Sequence, residues 1–314
     1  MPDNPLVQDP FGDQVAPGRS DGTWRIGEMP GSAPIEVPFT RLHGAADGPR
    51  VWIVGARDGD EVHATLAALS VRDRLAEEEI AGDVVVIPIA NPPAFGVHQR
   101  SHPLGPSFLG DRVDGALRAA IARGGGHLID IHSAGLDADT IDWVLYRGDD
   151  ERAASRAAAL GFPIAYAHVV GADAAGDGRL LDGALFTQAS AAGVPAILVE
   201  SGGGLPPDPR RIDGVVAGIW NVLGSLGVVG DPPEEPAAPR MLATFRIVSP
   251  SRGGFLETLA GLGDPVEAGD VLGVVRDVAG RVVEELTSPI DGIVLTRVLN
   301  PAVGTGTWAF EIGG

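Results

Sequence analysis

The sequence predicts an α/β domain with a mostly parallel central sheet flanked by helices, followed by a small all-β domain at the C-terminus. Between Arg50 and Glu200, near-continuous apolar runs alternate with alanine-rich stretches of helical length, the pattern of strands buried on both faces. That alternation stops in VVGDPPEEPAAPR, whose prolines and acids read as an extended linker. After Met241 short Val-, Thr- and Phe-rich segments are divided by Gly, Pro and Asp turns, the pattern of a small all-β domain. The chain divides accordingly into an N-terminal extended segment with the first strand or strands (1–44), the α/β domain (45–226), the linker (227–240) and the β domain (241–314).

The strands read in order as Val51–Gly55, Val84–Ala90, Leu128–His132, Trp143–Tyr146, Ile164–His168 and Ala196–Glu200. Val62, Leu66 and Leu69 recur at helical spacing behind the acidic pair Asp60-Glu61, which suits the positive end of a helix dipole. Further helices are expected near Arg112–Arg123, Asp150–Leu160, Gly183–Ala192 and Arg210–Leu226. In the last domain, turns fall at Gly253-Gly254, Gly263 to Pro265, Gly269-Asp270, Ala279-Gly280, Pro289 to Gly292 and Gly304 to Gly306.

Composition removes whole classes of chemistry. The 314 residues carry 42 acidic and 23 basic side chains, a net charge of −19, and every basic residue is arginine. Without lysine there is no Schiff-base chemistry, no Walker-type phosphate lysine and no biotin or lipoyl attachment. Without cysteine there is no disulfide, thiolate nucleophile or Cys-based metal site. The acidic balance disfavours nucleic acid and anionic lipid as partners. The N-terminus has acids and prolines where a signal peptide needs a basic start and an apolar run, and no apolar stretch reaches the roughly 18 residues of a membrane helix. A cytoplasmic protein acting on a small molecule is expected, with a homo-oligomer left open.

Ligands in open α/β sheets sit beyond the carboxyl ends of the strands. That rule selects Asp58-Gly-Asp-Glu61 after the first apolar strand, Asn91-Pro-Pro-Ala-Phe95 with Arg100, Asp130-Ile-His132-Ser133, and Glu200-Ser-Gly-Gly203. A lone Asp-x-x-Glu at a helix start is more often a cap than a ligand pair, and a bare glycine cluster more often a turn than an oxyanion loop. In their order and spacing, however, Gly55-Ala-Arg-Asp58-Gly-Asp-Glu61, Ile87-Pro-Ile-Ala-Asn-Pro-Pro-Ala-Phe95, Arg100, Asp130-Ile-His132 and Val199-Glu200 resemble the succinylglutamate desuccinylase/aspartoacylase family of zinc deacylases, related to the metallocarboxypeptidases. The resemblance spans roughly residues 45–205.

The resemblance implies a zinc carboxypeptidase-like fold. It implies Asp58, Glu61 and His132 as metal ligands, Glu200 as general base and acid, Arg100 as the group facing the developing oxyanion, and Asn91, His98 and His102 as substrate-binding residues. Asp130 is expected to turn to the other side of its strand and to play a structural or supporting part.

Two departures stand out. Asp58 replaces the family's first histidine, which lowers the Lewis acidity of a bound Zn2+ and brings Mn2+ or Fe2+ into competition. His63 is the nearest histidine that could substitute. Gly105-Pro106 stands where the family has the Asn-Arg pair associated with the substrate carboxylate.

The C-terminal domain resembles a biotinyl/lipoyl-like barrel-sandwich, but Asp277-Val-Ala-Gly280 fills the hairpin that carries the modified lysine in that fold. It is expected to be structural, to gate the site or to mediate assembly. The leading function is a metal-dependent hydrolase cleaving an amide, less readily an ester, of a small N-acyl amino acid or related metabolite. The alternatives are a catalytically inactive member that binds a metabolite or partner, and a carboxypeptidase-like peptidase using Arg112 or Arg118 for a terminal carboxylate.

Overall fold

The computed structural model describes residues 10–12, 15–101, 106–148, 155, 158, 161–171, 181, 183–230 and 236–314, without the side chains of 106–112. The helix expected over 150–160 falls largely outside that description. The N-terminal hairpin pairs β1 (Gly18–Glu28) with β2 (Pro34–His43), both continuous with the large sheet. The other strands of that sheet are β3 (Ala46–Gly55), β4 (Ala81–Ile87), β5 (His127–His132), β7 (Trp143–Arg147), β8 (Tyr166–Val170), β9 (Ala196–Glu200) and β10 (Arg240–Leu242). Their order is β1-β2-β4-β3-β5-β9-β7-β8-β10.

The sheet is mixed: five of its eight strand pairings are parallel, as expected for most of it, and three are antiparallel. β4, β3, β5 and β9 run parallel, whereas β2 meets β4 and β7 meets β9 antiparallel. The reason is local: residues 133–142 contain only the short strand β6 (Ala138–Thr140) and no helix. The chain between β5 and β7 therefore lacks the crossover that a parallel return requires.

Side chains of the central strands alternate between two apolar layers, as a two-residue period demands. Val51, Ile53, Val84, Val86, Ile129 and Ile131 face one layer, where α1 (Val62–Leu75) and α5 (Pro209–Ser225) pack. In α1 the buried Ala64, Ala67, Ala68, Val71 and Leu75 follow helical spacing. Trp52, Val54, Val85, Ile87 and Leu128 face the other layer, against α3 (Pro106–Gly124) and α4 (Leu185–Ala191). With helices on both faces, the strand ends are the part of the sheet left open to a ligand.

The C-terminal strands form two antiparallel sheets. One contains β11 (Phe245–Val248), β18 (Phe310–Gly313), β16 (Gly292–Val298) and β13 (Pro265–Val266); the other contains β15 (Val282–Thr287), β14 (Val271–Arg276), β12 (Gly254–Thr258) and β17 (Ala302–Val303). Leu256, Leu272, Val275 and Leu286 of one sheet share a core with Val294, Val298, Phe310 and Ile312 of the other. Two antiparallel sheets around one core agree with the expected small all-β domain, and among the described residues no backbone ladder closes them into a barrel.

This β domain is sewn to the α/β body. β6 adds to β16, pairing Thr140 with Thr296 and Ala138 with Val298. Phe245 packs edge-on to Trp143 and His168 at 5.5 and 5.4 Å.

Candidate active site

At the end of β3 the chain bends sharply. Ala56 takes φ +45°, a left-handed conformation that residues with a side chain rarely adopt, and its carbonyl accepts the Asn91 N–H at 3.0 Å. Three residues on, Gly59 lies so close to α2 (Pro92–Phe95) that a Cβ would sit 2.1 Å from the Ala94 carbonyl carbon. Its N–H donates to the Arg100 carbonyl at 3.2 Å. Close packing on α2 and the turn after it thus sets Asp58 on one side of the loop and Glu61 just before α1, both buried.

His132 ends β5, two strands in from the edge of the parallel block, and completes a buried cluster. Ligand atoms of Asp58, Glu61 and His132 all lie within 4.8 Å of one another. His132 Nδ1 is 3.2 Å from Glu61 Oε1 and 3.8 Å from Asp58 Oδ2. Asp58 Oδ2 and Glu61 Oε2 are buried without a hydrogen bond, although the Arg100 guanidinium stands 2.9 Å from the former. Two buried carboxylates beside an imidazole, short of hydrogen bonds though each has a charged neighbour in Arg100 or His132, suit a divalent cation, and the oxygen-rich donor set suits Zn2+, Mn2+ or Fe2+ alike.

Asp130 corrects the expectation made for it. Residues two apart on a strand share a face, so it lies beside His132, with Oδ1 3.3 Å from Nε2. The imidazole is held between acids on both ring nitrogens. Burial opposes its charge, but Glu61 and Asp130 outweigh that and raise its pKa well above the ordinary value.

Glu200 ends β9 directly beside His132 in the parallel register. Burial pushes its carboxyl up to about 8, against the pull of His132 and with reinforcement from Glu61 and Glu311. Burial likewise pushes Glu61 up to about 7, opposed by His132 and reinforced by Asp58. Next to the cluster, Arg57 and Asp114 pair at 3.0 Å. Arg211 braces the loop after Glu200: it donates to Asp142 at 2.8 Å, and Asp142 accepts from Ser201 Oγ at the same distance.

The structure thus gathers Asp58, Glu61, His132, Arg100 and Glu200. Asn91 is buried, and its side-chain oxygen accepts the Ala94 N–H at 3.3 Å as the cap of α2. His98 sits exposed on the following turn at φ +52°, tilted against Phe95. His102 lies outside the described residues. His63 does not replace the missing histidine: its Nε2 accepts the Asp208 N–H at 3.1 Å, away from the cluster. Arg118 donates to the Asp114 carbonyl of its own helix, and the Arg112 side chain lies outside the description. The glycines after Ser201 run beside residues 134–135: the Gly202 carbonyl accepts the Ala134 N–H at 2.9 Å, and Gly204 N–H donates to the Gly135 carbonyl at 2.8 Å.

Two cavities open onto Glu200 and Arg100. One, about 420 Å3, is lined by Asp60, Ser133 and Asp137 from the α/β body and by Thr296, Trp308 and Glu311 from the β domain. The other, about 290 Å3, runs past His132, Trp143 and the Arg57–Asp114 pair to Phe245, Trp308 and Glu311. The sequence reading had no place for Glu311 or Trp308. The available signal was a single carboxylate in the apolar run Ala309-Phe-Glu-Ile312, too small to separate from an ordinary edge position.

Residues 47–111 match the family model described as the Succinylglutamate desuccinylase/Aspartoacylase catalytic domain. The chain is 29% identical to the N-alpha-acetyl-L-2,4-diaminobutyric acid deacetylase of Halomonas elongata, over 87% of this chain and 84% of that one. Its fold is similar to a solved succinylglutamate desuccinylase/aspartoacylase from Rhodobacter sphaeroides, with TM-score 0.82, 23% identity and 98% of each chain covered. It is similar also to the product-bound ectoine utilization protein EutE (DoeB) from Ruegeria pomeroyi, with TM-score 0.83, 20% identity and 99% of each chain covered.

Proposed function

From the match of residues 47–111 to the succinylglutamate desuccinylase/aspartoacylase catalytic domain and the likeness to a deacetylase along most of the chain, we propose that it is a metal-dependent deacylase of that family. On this reading it hydrolyses the amide bond of a small N-acyl amino acid or related metabolite. The observation that carries the reading is the buried convergence of Asp58, Glu61 and His132 within 4.8 Å, with Glu200 beside His132 and Arg100 over Asp58. The deacetylase relative supports the reaction class, since the substrate in its name is an N-acetylated amino acid. Residues 45–226 then form the catalytic domain, and 241–314 an accessory domain that walls the site. The enzyme is taken as cytoplasmic; no described helix is long and apolar enough to cross a membrane.

Asp58, Glu61 and His132 would hold Zn2+, or Mn2+ or Fe2+. Bound there, the ion supplies Lewis acidity, polarising the acyl carbonyl and easing deprotonation of water. Asp130 fixes the ring of His132 and its protonation. The Glu200 carboxylate takes the proton of the attacking water and hands it to the leaving nitrogen, a shuttle suited by a pKa raised toward neutrality. Arg100, permanently charged and planar, stabilises negative charge as it grows on the carbonyl oxygen.

The test is release of free carboxylate from N-acetyl amino acids by the metal-loaded protein. Glu200→Gln is expected to retain metal and lose about 10²-fold or more in kcat. A Glu200→Gln variant with undiminished turnover would refute the assignment. One observation favours a second reading, an inactive binder: Arg100 already neutralises Asp58 at 2.9 Å. That reading predicts neither metal uptake nor turnover.

A further inference from the structure

The β domain brings to the site one carboxylate that the reaction above does not use. Glu311 follows the core residue Phe310 in β18 and lines both cavities. Its Oε2 accepts the Thr296 hydroxyl at 2.6 Å, and that hydroxyl lies 2.9 Å from Thr140 Oγ1 across the domain seam. The carboxylate is thereby aimed from a fixed ladder rather than from a loose chain.

The charges around it are otherwise matched. Arg57 has Asp114, Arg100 has Asp58, and His132 has Glu61 and Asp130. Among the described residues no arginine or histidine forms an ion pair with Glu311. Of the charged residues lining the 420 Å3 cavity, Asp60, Asp137, Glu200 and Glu311 are acids and Arg100 alone is basic. Burial raises the pKa of this carboxylate, against its hydrogen bond from Thr296 and the weaker pull of Arg100. A cation arriving with the substrate would supply the missing partner.

We propose that Glu311 of the C-terminal domain binds an ammonium group of the substrate, one other than the acylated nitrogen, and so selects N-acyl diamino compounds over N-acyl compounds with apolar or anionic chains. The inference rests on the deacylase reading and names the substrate class and the residue that reads it.

The full-length, zinc-loaded protein and its Glu311→Gln variant are compared on N-α-acetyl-L-2,4-diaminobutyrate and on N-acetyl-L-norvaline, which carries a methyl in place of the ammonium. Binding of the two free amino acids, 2,4-diaminobutyrate and norvaline, is measured by calorimetry, independently of turnover. The wild type is expected to favour the cationic compound in both assays. Glu311→Gln should raise its KM about tenfold or more and raise the KM of the norvaline compound far less, while any change in kcat that reaches the reaction through Glu200 is common to both. Equal losses on both substrates would mean that Glu311 acts through Arg100 and would overturn the assignment. So would a wild type that binds the two amino acids equally or not at all, a result that needs no variant. Selective binding without hydrolysis would sink the deacylase reading and leave Glu311 standing; hydrolysis without selectivity would do the reverse.

Discussion

Asp130 decides what His132 can offer. Its carboxylate oxygen stands 3.3 Å from Nε2, on the far side of the ring from Asp58 and Glu61, which face Nδ1. Asp130→Asn keeps the shape and removes the charge, so metal affinity should fall about 10- to 100-fold while the fold persists, as a chelator competition would measure. Arg100→Lys keeps the charge and loses the planar fork; kcat should drop about 10²-fold on the acyl substrates used above. Asp58, Glu61, His132 and Glu200 were legible because each ends a strand or follows one directly, where position along the chain fixes position in space. Asn91 was legible as a residue of the loop, but its role was not: whether an amide caps a helix or meets a ligand depends on a turn that only the folded backbone defines. Glu311 arrives from another domain, and no local spacing connects it to the site.

At the level of elements, the ligand loop is held by close approach rather than by many bonds. Gly59→Ala would drive a methyl into the backbone of α2, so it should cost about 1–3 kcal/mol in urea unfolding and release the metal before the protein unfolds. At the opposite end of the sheet, Asp83 receives Arg41 through two hydrogen bonds of 2.8 and 2.9 Å and Arg50 as a further partner. Burial works against its charge, yet the two arginines hold its pKa below the ordinary aspartate value. The stability Asp83 contributes is therefore full at neutral pH and lost as pH falls through that lowered pKa. Asp83→Asn would leave buried Arg41 short of an anion, and about 3 kcal/mol of stability should go, with less acid sensitivity than the wild type. Strands and helices themselves could be read from the sequence, because apolar runs and helical spacing are local. The antiparallel entry of β7 follows instead from the short, helix-free connection over 133–142, a matter of connection length rather than of the composition of any strand.

For the whole molecule, the site is a seam. The α/β body supplies Asp58, Glu61, His132 and Glu200, the ligands and base of the proposed reaction, while the β domain supplies Thr296, Trp308 and Glu311 as a wall of the same cavity. The cluster also ties stability to metal. In the metal-free protein Glu61, His132 and Glu200 all have raised pKa values, to about 7 for Glu61 and about 8 for Glu200. The folded state then binds more protons than the unfolded chain, and stability declines as pH rises through those values. A metal takes the place of the protons, so the gain in Tm on adding Zn2+ should grow from pH 6 to 8 by several degrees; a gain independent of pH would speak against these ligands. The most direct test is the metal content of the purified, reconstituted chain, measured alongside Glu61→Gln. About one equivalent of divalent metal per chain, absent from the variant, is the expected result. Less than about a tenth of an equivalent after reconstitution, or uptake undiminished in Glu61→Gln, would contradict a catalytic metal at this site.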